Sequence, residues 1–364
     1  MKRTSIILAL ALVIALLTGC AGTPVVYYSD CTCPTGAHTE TTPVETTAPV
    51  ETTEPAPVVE SAVKTGVAIV ASALESKSAG DADGEAKYDV SVVAVTVDDN
   101  GVIQSCIIDS IGTSVLFDVS GTIMSDLTAE IPTKNELGDA YNMKLYGNAV
   151  AEWYEQAAAL ASFACGKTVE ELRAGAVDET GHAVDADLAT TATIYLGGYV
   201  SAIENAVFNA QHLGAQAGDE LKLAISSSVD GSKNADAENE GLCELYTTAV
   251  ALTMKDGVIT SAQIDAVQGK VSFDVTGTIT GGTDGIFATK NMLGEQYGMK
   301  AWGGAIAEWN EQAASFAAYI TGKTADEVAG IAVDESTKPT DADLLTSVTI
   351  KIGEFQALIA KACN

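Results

Sequence analysis

Two copies of one long unit follow each other in this chain. Residues 187–193 read DLATTAT and residues 343–349 read DLLTSVT, an offset of 349 − 193 = 156 residues. The same offset relates three further pairs: Trp153 and Trp309, Lys134 and Lys290, Gly121 and Gly277. Solenoid repeats have periods of roughly 20 to 50 residues, so a period this long predicts two whole homologous domains in tandem.

The amino terminus has the layout of an export signal. Lys2 and Arg3 precede an apolar run over residues 6–17, and LTGC follows at residues 17–20. This pattern predicts a signal peptide over residues 1–19 and a mature chain that starts at Cys20. The sequence Leu-x-Gly-Cys resembles the bacterial lipobox, which implies a diacylglycerol on Cys20 and anchoring on the outer face of the cell membrane. A membrane-spanning helix is the alternative, but about 12 apolar residues fall short of the roughly 20 that span a bilayer.

A linker separates this end from the repeats. Residues 36–57 contain recurring Val-Glu-Thr-Thr units and several prolines, and no periodicity that would allow burial. Proline and charge keep such a segment extended. We therefore expect residues 20–59 to form a lipidated, Thr/Pro/Glu-rich spacer, residues 60–212 the first repeat and residues 213–364 the second.

Charge and cysteine usage exclude several classes of protein. The formal net charge of −30 repels phosphates, so the sequence predicts no nucleic-acid partner and no membrane contact besides the lipid. None of the six remaining cysteines has a cysteine 156 residues away, so we interpret them as incidental thiols rather than a duplicated framework. These cysteines are Cys31, Cys33, Cys106, Cys165, Cys243 and Cys363.

Each repeat begins with a predicted antiparallel sheet. Alternating apolar residues predict strands over 66–73, 89–97 and 102–108 in the first copy and over 221–227, 245–253 and 258–264 in the second. The Asn100-Gly101 and Asp256-Gly257 pairs predict hairpin turns between the second and third strands. Residues 115–122 and 271–279 predict a fourth strand.

A helical part follows each sheet. Apolar residues recur at three- and four-residue steps after residues 150 and 306. Thr168 with Glu171, and Thr324 with Glu327, have the spacing of a capping box at a second short helix. A terminal helix is predicted from Gly198 and from Gly353. The sequence thus predicts an α+β fold with two tandem homologous domains, each a mainly antiparallel sheet followed by packed helices.

Familiar catalytic and metal-binding patterns are missing from the sequence. Its three histidines are not shared by the repeats, which disfavours a serine–histidine hydrolase and a duplicated metal site. It has no Gly-rich phosphate loop and no calcium-binding loop pattern. The sequence therefore predicts no catalytic residues and no metal site, which favours a role other than that of an enzyme with turnover without deciding it.

The duplicated DLATTAT and DLLTSVT segments resemble the flavinylation motif Asp-x-x-Ser/Thr-Gly/Ser-Ala-Thr/Ser. In that motif a transferase couples FMN through its phosphate to the last hydroxyl. The resemblance implies that Thr193 and Thr349 are acceptors of covalent FMN. Thr191 replaces glycine or serine, and Val348 replaces alanine. The other matching positions are Asp187, Thr190, Asp343 and Thr346. The alternative is a Thr-x-Thr segment that begins a strand after an aspartate-capped turn.

Three further duplicated segments begin at Thr133, Tyr141 and Glu152. They resemble tandem-domain lipoproteins of Gram-positive bacteria that include the extracellular electron transfer flavoprotein and pheromone-precursor lipoproteins. The resemblance implies four kinds of partner: an FAD:protein FMN transferase, a quinol-oxidising donor in the membrane, extracellular electron acceptors, and the membrane itself through the lipid.

A flavin ring needs flat apolar walls, and the repeats offer three duplicated candidates. They are Trp153 with Trp309, Tyr141 with Tyr297 and Met143 with Met299. The two tryptophans also lie on the apolar face of a predicted helix, so a role in the core is the alternative. Lys134 and Lys290 are candidates for stabilising a reduced ring or the phosphate, and a surface ion pair is the alternative.

The resulting hypothesis is a membrane-anchored extracellular flavoprotein that relays electrons from the quinone pool to extracellular acceptors. The alternative is a cofactor-free surface lipoprotein that binds a ligand or mediates adhesion, and whose leader supplies a peptide pheromone.

Overall fold

The computed structural model describes residues 61–147 and 149–363, which belong to one compact unit. The predicted signal peptide, the lipid site at Cys20, the spacer, and Cys31 and Cys33 lie outside the described residues.

Each copy contains an antiparallel sheet. In the first copy, β1 (Lys64–Ser72), β2 (Gly84–Val97) and β3 (Ile103–Phe117) pair in sequence order. In the second, β4 (Glu220–Ser228), β5 (Gly241–Lys255) and β6 (Val258–Phe273) do the same, and the short β7 (Ile279–Gly281) joins β6. The two-residue β8 (Ile286–Phe287) belongs to the second copy but pairs with β1 of the first. The edge of one sheet is therefore completed by the other copy.

Helices follow each sheet, which confirms the predicted α+β class. The first copy has α1 (Lys134–Leu137), α2 (Met143–Gly147), α3 (Trp153–Ala164), α4 (Val169–Ala176), α5 (Ala186–Thr191) and α6 (Gly197–Phe208). The second has α7 (Lys290–Leu293), α8 (Met299–Gly303), α9 (Trp309–Ile320), α10 (Ala325–Ala329) and α11 (Gly353–Cys363). Three-residue-per-turn helices span Gly138–Tyr141, Gly294–Tyr297 and Leu344–Thr346. The predicted capping boxes at Thr168 and Thr324 are present.

The predicted fourth strand of each copy is wrong. The third strand instead runs on to Phe117 or Phe273, and a tight turn follows it. In the first copy, the Asp118 carboxylate accepts hydrogen bonds from the backbone N–H groups of Ser120 and Thr122 at 2.8 and 3.0 Å. Asp274 makes the same bonds in the second copy. Hydrogen bonds from an aspartate side chain to the backbone compete with those of a strand, so the strand ends here although the apolar alternation continues in the sequence.

The repeat offset also changes along the chain. Gly84 pairs with Phe117 and Gly241 pairs with Phe273, so β2 and β5 are related by 241 − 84 = 157 residues. The hairpin turn restores the offset of 156, because Val97 pairs with Ile103 six residues on whereas Met254 pairs with Ile259 five residues on. The structural equivalent of Cys243 is accordingly Ala86, and not Lys87 as the constant offset predicts.

The two sheets pack face to face and share a core. Residues of β1 to β3 and of β4 to β6 form one buried cluster, and the rings of Phe117 and Phe273 stack in it with centroids 4.2 Å apart. The phenol of Tyr88 donates a hydrogen bond to the carbonyl oxygen of Cys243 at 2.7 Å. The opposite face of each sheet packs against the helices of its own copy. The order of layers is therefore helices, sheet, sheet, helices.

Candidate functional site

The DLATTAT segment forms a short helix and the turn after it, rather than the start of a strand. The Asp185 carboxylate caps α5 by accepting hydrogen bonds from the N–H groups of Asp187 and Leu188, both at 3.0 Å. Leu188 and Ala192 are buried and hold the segment against the protein. The hydroxyl of Thr190 donates to the backbone oxygen of Asp187 at 2.7 Å. The motif thus places apolar positions inward and Thr193 at the surface.

The second copy has the same arrangement. Asp341 accepts bonds from the N–H groups of Asp343 and Leu344, and the hydroxyl of Thr346 donates to the Asp343 carbonyl at 2.7 Å. Val348, which departs from the motif, is fully buried and fills the position of Ala192. Thr349 is half-buried. The substitution of valine for alanine therefore leaves the local geometry intact.

A buried glutamine fixes each predicted acceptor. The side-chain oxygen of Gln156 accepts hydrogen bonds from the backbone N–H of Thr193 at 2.7 Å and of Ile194 at 3.1 Å. The Thr193 hydroxyl lies 3.4 Å from the same oxygen. In the second copy Gln312 accepts from the backbone N–H of Thr349 at 2.8 Å and from its hydroxyl at 3.1 Å. The glutamine thus holds both the backbone N–H and the hydroxyl of each threonine.

A buried glutamate one turn earlier on the same helix fixes the methionine. Glu152 accepts hydrogen bonds from the backbone N–H groups of Met143 at 2.7 Å and Lys144 at 3.1 Å, which caps α2. Glu308 does the same for Met299 and Lys300. Glu152 and Gln156 are four residues apart and therefore lie on one face at the start of α3. Through their hydrogen bonds, this end of the helix holds the methionine and the threonine near Trp153.

Each predicted acceptor threonine lines a cavity. The first has a volume of about 640 Å³ and the second of about 790 Å³, within the roughly 300–1,000 Å³ of ligand pockets. The predicted residues that line the first cavity are Tyr141, Met143, Trp153, Thr193 and Lys134. Those that line the second are Met299, Trp309 and Thr349.

Six predicted residues lie outside the cavity walls, and Lys290 is one of them. Asp187, Thr190, Asp343 and Thr346 lie on the turn before the acceptor, and the carboxylates of Asp187 and Asp343 are exposed. Tyr297 lies behind the second cavity, where its phenol is 3.2 Å from the side-chain oxygen of Gln268. The structure thus brings together the threonine, the tryptophan and the methionine in both copies, but the tyrosine only in the first.

The tryptophans serve both the core and the cavity. Trp153 and Trp309 are 2% and 5% exposed and belong to the helix–sheet cores. The indole N–H of Trp153 donates to the phenol oxygen of Tyr199 at 3.2 Å. Both tryptophans therefore belong to the core, as the alternative predicts, and also line the cavities.

The two lysines lie against aromatic rings, and neither takes part in an ion pair with another described residue. The Lys134 ammonium lies 5.3 Å from the ring centre of Tyr141 and 5.1 Å from that of Trp153. Lys290 is buried, with its ammonium 4.8 Å from the ring centre of Trp309, and it donates a hydrogen bond to the Tyr246 phenol at 2.8 Å. Cation–π contacts of this kind replace the predicted surface ion pair.

Burial lowers the pKa of both ammonium groups. For Lys290 the pKa falls to about 8, and the carboxylates of Glu354 and Asp265 offset part of the effect. The pKa of Lys134 is also lowered, with Asp89 and Asp109 opposing the shift. An ammonium that is only partly hydrated interacts strongly with charge placed nearby. Lys134, which lines the first cavity, therefore makes that cavity sensitive to the charge of an occupant.

Sequence reasoning assigned no role to three duplicated polar residues. These are Glu152 with Glu308, Gln156 with Gln312, and Asp109 with Asp265. Asp109 anchors α1 by accepting a hydrogen bond from the Asn135 backbone N–H at 3.1 Å. The sequence feature that could have identified these residues is that each polar residue recurs 156 positions later, within an otherwise apolar helix face or strand.

The structure provides three further findings on the described part of the chain. No group of three His, Cys, Asp or Glu side chains is placed to hold a metal ion there. The cysteines at 106, 165, 243 and 363 are free thiols, and burial raises the pKa of Cys243 to about 12. None of the helices in residues 61–147 and 149–363 has both the length and the apolar character needed to cross a bilayer.

Comparisons with known proteins add no relative: no family model, curated protein or solved structure matches this chain.

Proposed function

We propose that this protein is a membrane-anchored extracellular flavoprotein that carries FMN covalently on Thr193 and Thr349 and relays electrons from the membrane quinone pool to extracellular acceptors. One observation supports the proposal most. In both copies, the threonine lines a cavity together with the equivalent tryptophan and methionine, and a lysine lies against that indole. A duplicated cavity around a duplicated hydroxyl is what attachment of one group to each copy requires.

The threonines are suited to forming a phosphoester. The hydroxyl oxygen of Thr193 forms the new bond to the flavin-side phosphorus of FAD, and the bond from that phosphorus to the oxygen bridging the two phosphates breaks. AMP leaves with the bridging oxygen, and the hydroxyl proton is released with it. The transferase and its magnesium ion supply the catalysis. Gln156 keeps accepting the backbone N–H of Thr193 throughout, because that bond does not involve the reacting oxygen. The acceptor therefore stays anchored before and after modification.

The residues of the cavity fit a flat aromatic group. FMN, when bound, supplies a ring that accepts and releases two electrons. Met143 and Trp153 offer it an apolar surface in the first copy, and Met299 and Trp309 do so in the second. Covalent attachment suits an exported protein, because a cofactor held only by affinity is lost by dilution.

The test is co-expression of the full chain with an FMN transferase, followed by intact mass and visible absorbance. We expect a yellow protein that carries two FMN-phosphoryl groups, one lost in Thr193→Ala and one in Thr349→Ala. Thr180→Ala and Ser336→Ala are matched controls, because these exposed hydroxyls occupy equivalent positions outside the two motifs, and both variants should retain two groups. A colourless protein of unmodified mass would refute the proposal and favour the cofactor-free binding lipoprotein.

The relay and the anchor have separate tests. Membranes from the source bacterium, given a reductant for their quinone pool, should bleach the absorbance of the loaded protein, and an extracellular oxidant should restore it. The double variant Thr193→Ala/Thr349→Ala should show neither change. Cys20→Ala should move the protein from the membrane fraction to the medium. A loaded protein that membranes never reduce would refute the relay while leaving the flavin sites intact.

A further inference from the structure

A third cavity lies at the junction of the two copies, apart from the two that contain the proposed acceptor threonines. Its volume is about 590 Å³, within the roughly 300–1,000 Å³ of ligand pockets. The segment 208–213 at the end of α6 forms one wall, and residues of β6, α7 and α9 form the other. Neither Thr193 nor Thr349 lines it. An occupant of this cavity therefore contacts both copies without entering either proposed flavin site.

Part of the cavity wall is apolar. The helix α9 contributes the small side chains of Ala314, Ala317 and Ala318. Phe208 and Met292 line the same cavity although they are 89% and 63% exposed. Large apolar side chains that are this exposed lose unfavourable contact with water when a ligand covers them. The wall therefore favours an occupant with an apolar body.

Carboxamide side chains form much of the remaining wall. They are Asn209, Gln211, Gln263, Asn291 and Asn310. Asn209 and Asn291 donate through their amide nitrogens to backbone carbonyl oxygens at 3.0 and 2.9 Å, which leaves their side-chain oxygens without a donor among the described residues. The side-chain oxygen of Asn310 is buried and has no hydrogen-bond partner either. An unpaired buried acceptor costs free energy, so a donor in the cavity towards which Asn310 rotates stabilises the complex.

The charge at this cavity is negative. Among the described residues that line it, Glu311 carries the only charge. Its carboxylate accepts the backbone N–H of Glu308 at 2.7 Å, a bond that does not neutralise it. The Lys300 ammonium lies 3.9 Å from this carboxylate but does not line the cavity, and an ion pair between two exposed side chains at this distance is weak. Unpaired oxygens beside a carboxylate favour a cation and disfavour an anion.

Gln263 joins the two walls of the cavity. Its side-chain oxygen accepts the Val67 backbone N–H at 2.6 Å, and its amide donates to the Asn209 carbonyl oxygen at 3.1 Å. At the offset of 156 residues the first copy has other residues in three of the lining positions: Ile107 for Gln263, Glu136 for Met292 and Tyr154 for Asn310. The carboxamide wall is therefore a feature of the second copy alone.

We propose that this cavity binds an organic ammonium ion, a small molecule with an apolar body and a primary amine. The body packs against Phe208 and the alanines of α9. The ammonium donates hydrogen bonds to the unpaired amide oxygens and interacts with the charge of Glu311. This inference goes beyond the proposed function and does not depend on a flavin in either copy.

The test is isothermal titration calorimetry of the full chain with three probes that share one apolar body: 2-phenylethylamine, 2-phenylethanol and phenylacetate. The amine should bind about tenfold more tightly than the alcohol, because hydrogen bonds from a charged donor are roughly twice as strong as neutral ones. The carboxylate should bind most weakly, and high salt should reduce the preference for the amine. Equal affinities for the amine and the alcohol, or no binding of the amine, would overturn the proposal.

Two pairs of variants locate the site. Ala314→Leu should fill part of the cavity and weaken binding of the amine, whereas Ala158→Leu, at the equivalent exposed position of α3, should not. Glu311→Gln can still accept the Glu308 N–H, and it should weaken binding of the amine but not of the alcohol. Glu155→Gln is its equivalent in the first copy and should change neither affinity. Equal effects within either pair would place binding elsewhere on the acidic surface and overturn this inference, while the flavin sites would stand.

Discussion

The buried side chain of Gln156 accepts a hydrogen bond from the backbone N–H of Thr193 at 2.7 Å, although 37 residues separate them in sequence. The amide group of the same side chain donates to the Ala151 carbonyl at 2.8 Å. Gln156 therefore joins the start of α3 to the turn that contains the proposed acceptor hydroxyl of Thr193. Gln312 makes both bonds in the second copy.

Replacing Gln156 with leucine should loosen the first acceptor. The variant keeps the volume but leaves the N–H groups of Thr193 and Ile194 without their acceptor, at a cost of about 1–3 kcal/mol in the free energy of unfolding. Urea unfolding should show this loss, and intact mass after brief co-expression with the transferase should show less flavin on Thr193. Gln312→Leu is the mirror control and should reduce loading of Thr349 only. Equal loss at both threonines in either variant would contradict a local role.

Glu152→Ala should release α2 and with it Met143. The carboxylate accepts the N–H groups of Met143 and Lys144, so its removal should cost about 1–2 kcal/mol locally. Amide hydrogen exchange at these two residues should accelerate about tenfold, since about 1.4 kcal/mol corresponds to that factor. Glu179→Ala removes an exposed carboxylate and should leave both exchange rates unchanged. Unaltered protection in Glu152→Ala would show that α2 is held by other contacts.

The sequence predicted the fold class because local signals and the global pattern agree. The capping threonines at 168 and 324 and the alternation in the first three strands are local, and they appear where expected. The prediction of a fourth strand was wrong because the Asp118 carboxylate accepts hydrogen bonds from the backbone N–H groups that follow it. These bonds form a tight turn in place of a strand. The constant offset of 156 did not predict the offset of 157 between β2 and β5. The hairpin turn of the second copy is one residue shorter, so the offset is 156 again in the next strand.

The candidate site was predicted in part. The repeat identified Thr193, Trp153 and Met143 as a set, and the structure places them around one cavity. The supporting bonds of Gln156 and Glu152 run to backbone N–H groups, which carry no sequence signature. Asp89 and Tyr246 occupy equivalent positions in the two sheets, and this equivalence depends on strand register, which the sequence does not reveal.

Phe117→Ala should destabilise both copies together. Its ring stacks on Phe273 across the shared core, and loss of a buried phenylalanine typically costs about 3–5 kcal/mol. Hydrogen exchange of β2 and of β5 should accelerate by the same factor, with a single transition in urea. Val119→Ala, an exposed change two residues away, should have little effect. Faster exchange confined to β2 would show instead that the copies unfold independently.

In the unaltered protein, the free energy of unfolding should increase as the pH rises above about 8, and Lys290→Met should remove this increase. The pKa of Lys290 is about 8 in the folded chain against 10.5 for the ordinary side chain. Between these pH values the unfolded chain binds more protons, so the free energy of unfolding increases with pH, and below pH 8 the full cost of burying the charge is present. The complete change is on the order of 3 kcal/mol.

The measurement is urea unfolding of both proteins at pH 7.5, 8.5 and 9.5. The methionine variant should be the more stable at the lowest of these pH values, and its advantage should diminish as pH rises. Lys77→Met replaces an exposed lysine and should track the unaltered protein at every pH. If the difference in stability between Lys290→Met and the unaltered protein stays constant with pH, Lys290 keeps its proton over this range. The hydrogen bond to the Tyr246 phenol and the three surrounding aromatic rings would then stabilise the ammonium enough to offset its burial.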